Sequence, residues 1–232
     1  MQIMKNSGKI TGVFGPIILY YLLSNVLICL FAFLFGVTEE TYAVRYTMLQ
    51  TFATALILPV LLSMLAKDDR MNTVFSQRMR NAYGEVERGA RWRNGLACLV
   101  LGAAVGLLFN LLLTGSGLAD YSAGYQEVST YFWSGPVAFE VIGLGIVSPI
   151  AEELLYRGLV YGRLCDWIGR PKAWIFSALL FGALHFNLVQ FVYASLLGLL
   201  FVFMMEKTHH ISGAVLGHIG ANLAIVILTN LS

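Results

Sequence analysis

Charged residues are scarce in this chain, and their scarcity sets its class before any motif is considered. Only 12% of the 232 residues are Asp, Glu, Lys or Arg, whereas 58% are hydrophobic, and the mean hydropathy is +0.73. Soluble domains typically carry about 25% charged residues. The composition therefore excludes an ordinary soluble domain and indicates a membrane protein.

Cysteine and several catalytic signatures are also rare or missing. Cys29, Cys98 and Cys165 are odd in number and widely spaced, so they indicate neither a disulfide framework nor a thiolate metal site. No HExxH or GxSxG occurs, and no aspartate falls inside a predicted span. This weakens zincin, serine-hydrolase and membrane aspartyl-protease readings. The net charge of +2 is small, which argues against nucleic-acid binding.

Long hydrophobic runs, by contrast, are abundant. Five runs without Asp, Glu, Lys or Arg cover residues 10–38, 46–66, 94–119, 173–205 and 208–232. Each can cross a hydrocarbon core of about 30 Å, which needs roughly 20 helical residues. The first run is too long for the core of a signal peptide.

The runs and their breaks predict seven helices, at 11–36, 47–66, 95–114, 137–164, 172–186, 190–206 and 211–230. An eighth short helix within 71–93, or a re-entrant piece near 120–135, stays open at this point. The predicted fold is an all-α, polytopic transmembrane bundle of about seven to eight helices, in one integral membrane domain over residues 1–232.

Basic residues orient this bundle. Lysines and arginines cluster on alternate connections, and such connections are cytoplasmic in most membrane proteins. We therefore expect a cytoplasmic N-terminus. We expect Tyr20 and Tyr21 of the first helix to face lipid.

Several polar side chains interrupt the predicted spans. They are Glu152 and Glu153 in the fourth helix, His185 at the end of the fifth, and His218 with Asn222 in the seventh. An ionisable side chain in a membrane helix costs about 2.5–3.5 kcal/mol on insertion scales, so each indicates a functional site.

Their spacing separates the two glutamates. Glu153 and Arg157 are four residues apart, which places them on one helix face and predicts an ion pair. Glu152 points about 100° away from Glu153, which leaves it free for another task.

The depths of these residues do not all agree. If Arg157 sits near the cytoplasmic interface, Glu152 lies about 8 Å deep and His218 about 10 Å deep, whereas His185 lies about 20 Å from Lys172. For Glu152, His185 and His218 to meet in one site, the fifth predicted helix must therefore be tilted, shortened or started further out.

The cluster has the chemistry of peptide-bond hydrolysis. A carboxylate in an apolar site is a more effective base for water than one in bulk solvent, and histidine and amide groups can donate to a developing oxyanion. Two alternatives use the same residues. Glu152, His185 and His218 would make a zinc ligand set, and buried carboxylates also serve transporters as proton relays.

Three short motifs carry a resemblance to a known family. The segments "EELLYR" (152–157), "FGALH" (181–185) and "HIGAN" (218–222) resemble the motifs EExxxR, FxxxH and HxxxN of the CAAX protease and bacteriocin-processing family, also called CPBP or Abi. Their order and placement on separate membrane helices match as well. The resemblance covers the motif-bearing half, about 137–230.

This resemblance implies an intramembrane endopeptidase of the glutamate type, similar to CAAX prenyl protease 2. In that reading Glu152 is the general base, His185 helps to activate water, and His218 with Asn222 forms the oxyanion hole, while Glu153 and Arg157 support the site. No cofactor is expected, and zinc is the alternative.

The expected partners are membrane lipids and a peptide or prenylated protein substrate, without nucleic acid. The expected location is a bacterial cell membrane. A non-catalytic bacteriocin self-immunity protein is the alternative function.

Overall fold

The fold described by a computed structural model covers residues 2–68 and 88–231. In this part of the chain eight helices make up the regular structure, which confirms the all-α prediction. They are α1 (Gln2–Leu34), α2 (Glu39–Lys67), α3 (Arg88–Gly115), α4 (Ala123–Trp133), α5 (Val137–Ile168), α6 (Arg170–Ala183), α7 (Leu188–Thr208) and α8 (Ile211–Leu231). The helix within 71–93 that the sequence left open falls mostly outside the described residues.

Long apolar helices make this an integral membrane protein. Within the described ranges, five helices are long and apolar enough to cross a membrane. Helices α4 and α5 meet at a bend of 109° and count together as a possible sixth span. Helix α6 has only 14 residues and is about 21 Å long, so it is shorter than the hydrocarbon core.

Helix α2 begins well before the predicted residue 47. The backbone N–H of Thr38 donates to the hydroxyl oxygen of Thr41 at 3.0 Å, and Glu39 and Glu40 occupy the first turn. Acidic residues there are favoured by the helix dipole. These charges looked like a loop in the sequence, although they are a helix start.

Helix α4 is the piece near 120–135 that the sequence left open. Its N-cap is Ser122, whose hydroxyl oxygen accepts from the backbone N–H of Tyr125 at 3.3 Å. Its sharp angle to α5 follows the sequence Ser134, Gly135 and Pro136 between them.

Helix α5 is a single long rod with irregular winding. Two stretches, Glu140–Val147 and Leu154–Tyr161, are π-helical, and they flank the regular turn Ser148–Glu153. Such wide turns are rare and often occur at functional sites. The segment that carries Glu152 is therefore held between two distorted parts of the same helix.

Glycines let α3 and α8 pack with their backbones in contact. A Cβ added at Gly102 would collide with the backbone of Gly217, and one added at Gly220 would collide with the backbone of Leu99. Small residues at such crossings are the usual basis of close helix packing in membranes. This contact fixes α8, which carries His218 and Asn222.

The replacement Gly102→Ala should weaken this crossing. Because the new methyl group meets backbone rather than a movable side chain, we expect a loss of about 1–3 kcal/mol of stability, measured by unfolding in detergent. Gly162→Ala is the matched control, since nothing lies within 4 Å of a Cβ there. Equal stability of the two variants would contradict the packing described.

Candidate active site

Four of the predicted site residues line one cavity of about 460 Å³. Glu152 comes from α5, His185 from the turn after α6, and His218 and Asn222 from α8. The fold thus brings the three motifs together, although they are separated along the chain. Glu152 is the one carboxylate among the described residues that line this cavity.

Glu153 and Arg157 form the ion pair that their spacing predicts. Arg157 Nη1 donates to Glu153 Oε1 at 2.9 Å, and both side chains are fully buried. The other terminal nitrogen of Arg157 donates to the Gly198 carbonyl on α7 at 2.9 Å. The guanidinium also lies over the ring of Phe181, 4.8 Å from its centre. The pair therefore links α5 to α6 and α7.

Arg157 is fully buried in the protein, and it does not mark the end of α5. Helix α5 continues beyond it to Ile168, about 16 Å further. Measured from that end, Glu152 lies about 24 Å along α5, and His185 lies about 22 Å beyond the start of α6. Measured from this common end instead of from Arg157, Glu152 and His185 lie at similar distances, so the mismatch disappears. Helix α6 is also short, with 14 residues, which is one of the ways in which the two residues could meet.

His218 is held on three sides. Its Nδ1 lies 2.8 Å from Glu153 Oε1, and its ring stacks on Phe201 with centres 4.5 Å apart. Since a carboxylate only accepts, Nδ1 carries the proton of this hydrogen bond. The other ring nitrogen, Nε2, lies 3.7 Å from Glu152 Oε2. Glu153 therefore aims His218 at Glu152.

His185 is fixed by its own helix end. Its Nδ1 donates to the Phe181 carbonyl at 2.9 Å, and its ring meets the edge of the Phe181 ring. In the neutral imidazole this leaves Nε2 as an acceptor. Just beyond it, Asn187 caps α7 by accepting from the Gln190 backbone N–H at 2.8 Å, while Gln190 lines the cavity.

Asn222 makes a hydrogen bond that the sequence did not predict. Its Nδ2 donates to the Leu144 carbonyl at 2.8 Å. Within the helix, the Leu144 carbonyl would accept from the backbone N–H of Ser148 or, in a π-helical turn, of Pro149. Ser148 donates instead to the Gly143 carbonyl, and Pro149 has no N–H. Asn222 thus supplies the missing donor, and Pro149 indirectly fixes Asn222. The second hydrogen on Nδ2 stays available to the cavity.

Tyrosines on α1 and α5 belong to the cavity wall, and sequence reasoning missed them. Tyr20, Tyr21 and Tyr156 line it, and the Tyr21 hydroxyl donates to the Leu184 carbonyl at 3.4 Å. The expectation that Tyr20 and Tyr21 face lipid is therefore wrong, since Tyr20 is only 7% exposed. Their place depends on which face of α1 packs inward, and the uniformly apolar helix gives no signal for that.

The zinc alternative finds no suitable set of ligands. Among the described residues, no three His, Cys, Asp or Glu side chains are grouped so that they could hold a metal ion. We therefore assign no chemical step to a metal.

A comparison with known families matches the part of the chain that carries the three motifs. Residues 133–224 match the model of the family described as "Type II CAAX prenyl endopeptidase Rce1-like". This part of the chain is similar to that family. The Rce1-like region contains all three motifs and extends from the end of α4 into α8.

A curated relative of the Rce1-like region comes from Bacillus subtilis (strain 168). It is named "Putative membrane peptidase YdiL" and is 28% identical over 112 residues, which cover 48% of this chain and 45% of the relative. The match thus spans less than half the length of that protein. No solved structure matches the chain.

The replacement Arg157→Met should strongly destabilise the fold. Arg157→Met leaves the Glu153 carboxylate buried without its guanidinium, which typically costs about 3–5 kcal/mol. We expect a large fall in the thermal stability of the purified protein.

Adding Glu153→Gln to that variant removes the uncompensated charge and should restore part of the stability. A double variant as unstable as Arg157→Met alone would show that the loss does not come from the unpaired carboxylate.

Proposed function

We propose that this protein is an intramembrane endopeptidase in which Glu152 activates water to hydrolyse a peptide bond. The observation that carries the proposal is the pairing pattern of the two glutamates. Glu153 is fully buried and bonded to Arg157 and His218, whereas Glu152 is 24% exposed and faces the cavity with His185 and Asn222. The similarity of the Rce1-like region to CAAX prenyl endopeptidases supports the same activity.

The reaction begins with a water molecule between Glu152 and the substrate carbonyl. Glu152 takes a proton from the water while the oxygen attacks the carbonyl carbon, which gives a tetrahedral oxyanion. His185, with Nδ1 held by Phe181, accepts from the same water through Nε2 and orients it. The C–N bond then breaks, and the proton held by Glu152 passes to the leaving amine.

Asn222 and His218 serve as the oxyanion donors in this proposal. The free N–H of Asn222 is already oriented by the bond to Leu144, so no reorganisation is needed when charge develops. His218 can donate from Nε2 only if both ring nitrogens carry a proton. The Glu153 carboxylate accepts from Nδ1 and holds the ring in place, which gives Glu153 a supporting role beyond helix packing.

The cellular setting follows from the charge pattern. Lys67, Arg163, Arg170 and Lys207 lie at one end of the bundle, which is the cytoplasmic end by the positive-inside rule. The N-terminus then lies in the cytoplasm of a bacterial cell. The substrate is a peptide segment within or next to the bilayer, and a prenylated protein is one form that it can take.

The variant Glu152→Gln should abolish proteolysis and keep the fold. The amide has the shape of the carboxylate but cannot take the proton, and loss of a general base costs roughly 10²–10⁴-fold in rate. New peptide termini in cells that produce the natural protein or the variant, compared by mass spectrometry at equal expression, give the measurement.

Glu40→Gln is the matched control, because Glu40 is an exposed carboxylate in the first turn of α2. Cells that produce Glu40→Gln should contain the same new peptide termini as cells that produce the natural protein. Termini that persist in Glu152→Gln would contradict the proposal and favour a binding or immunity protein that keeps the motifs without using them.

Chelation separates the proposal from its zinc alternative. Since the mechanism assigns no step to a metal, activity of the purified protein should be unchanged after prolonged dialysis against a strong chelator. Loss of activity that added Zn²⁺ restores would overturn the glutamate assignment and make Glu152 a ligand.

A further inference from the structure

Five uncharged polar side chains line the cavity outside the three motifs. Tyr20 and Ser24 come from α1, Gln50 and Thr54 from α2, and Ser148 from α5. We call these five residues the polar patch. Three of them are more than nine-tenths buried, with exposed fractions of 7% at Tyr20, 1% at Thr54 and 5% at Ser148. Polar groups buried to this extent normally have a hydrogen-bond partner.

Spacing places the α1 and α2 members of the patch opposite each other. Tyr20 and Ser24 are four residues apart, as are Gln50 and Thr54, so each pair occupies one face of its helix. The short connection 35–38 joins the two helices, which pack side by side, and the Tyr20 hydroxyl lies next to both Thr54 and Ser24. The two pairs therefore form one continuous surface.

Ser148 extends this surface to α5. Helices α2 and α5 run in the same direction, because a Cβ added at Gly135 would collide with Thr47 and one added at Gly143 would collide with Thr51. Ser148 follows Gly143 on α5 and therefore lies beside the next turn of α2, which carries the threonine of the polar patch. It is also one helical turn before the proposed general base, on the same helix face.

The Ser148 hydroxyl lacks the partner that a helix usually offers. Serine and threonine in helices commonly donate to the carbonyl one turn earlier, as Thr51 does to Thr47 at 2.6 Å. The corresponding carbonyl for Ser148 is that of Leu144, which accepts from Asn222 instead. The buried hydroxyl makes no hydrogen bond to any residue that the structure describes. The bond that fixes Asn222 thus leaves this donor free beside the cavity.

Gln50 offers an acceptor that is free in the same way. Its Oε1 is buried and accepts no hydrogen bond from the described part of the chain, although the side chain lines the cavity. The patch therefore presents a free acceptor on α2 and a free donor on α5. Each is unfavourable until a ligand pairs with it.

The chemistry of the patch matches a peptide group. The patch carries no charge, so an ion would find no opposite charge there, and an apolar chain would leave its polar atoms unpaired. A peptide group is neutral and has one N–H donor and one C=O acceptor, which complement Gln50 Oε1 and the Ser148 hydroxyl. The Tyr20 hydroxyl lies within electrostatic reach of Glu152, so a peptide group bound here is next to the site of hydrolysis.

We propose that the polar patch binds the main chain of the substrate beside the bond that is cleaved, with a substrate N–H donating to Gln50 Oε1 and a substrate carbonyl accepting from Ser148. The inference rests on the proposed function. It assigns part of substrate recognition to main-chain groups, which every peptide has, and not to a charged or apolar substituent.

Kinetics with the purified full chain in lipid vesicles test this contact. The probe is a peptide around a new terminus that appears only in cells producing the protein, together with a set of peptides in which single amide N–H groups flanking the scissile bond are replaced by ester oxygens. Gln50→Leu removes the acceptor and Ser148→Ala the donor. Thr47→Val is the control, because Thr47 is a buried α2 residue with an unpartnered hydroxyl and does not line the cavity.

We expect Gln50→Leu and Ser148→Ala each to raise KM about fivefold, as for the loss of one neutral hydrogen bond, with kcat and thermal stability unchanged. One ester should raise KM by a similar factor in the natural protein and should have no further effect in Gln50→Leu. Thr47→Val should leave KM unchanged.

Ester effects that are equal in the natural protein and in Gln50→Leu would overturn the contact, as would a KM that neither patch variant changes. A joint loss of kcat and thermal stability would make the patch structural and overturn the inference too. Hydrolysis retained by Glu152→Gln would refute the proposed function and this inference with it, whereas an inactive Glu152→Gln beside unchanged patch variants would refute the patch alone.

Discussion

The pairing of buried charge is the constraint on which the rest of this structure depends. A carboxylate and a guanidinium without any exposed surface are tolerated only with partners close by, and Glu153 and Arg157 supply each other. Their remaining partners come from Gly198 and His218. One ion pair on α5 therefore fixes how α7 and α8 approach it, and it orients the histidine that faces Glu152.

Distorted helix winding gives Glu152 its separate role. The regular turn that carries both glutamates lies between two π-helical stretches, and Pro149 within it leaves the Leu144 carbonyl without a helical donor. Asn222 satisfies that carbonyl from α8. The carbonyl left without a helical donor thus anchors the amide proposed to stabilise the oxyanion, so a local defect in the helix and the arrangement of the site have a common cause.

The sequence predicted the parts of this arrangement that depend on hydropathy and on local spacing. Apolar runs located seven helices, and the four-residue spacing predicted the pair Glu153–Arg157. Burial and facing could not be predicted, because they depend on tertiary packing: Arg157 is fully buried against α6 and α7, and Tyr20 and Tyr21 face the cavity. The bond between Asn222 and Leu144 joins distant segments, and no local pattern indicates it. The catalytic roles remain predictions.

Hydrolysis in ¹⁸O-labelled water tests the central claim most directly, with purified protein in lipid vesicles and a peptide substrate identified from cells. If Glu152 activates water, a single turnover places one ¹⁸O in the new carboxyl terminus and none in the protein. Recovery of ¹⁸O in the peptide that contains Glu152 would contradict the account, because the carboxylate would then have attacked the substrate itself.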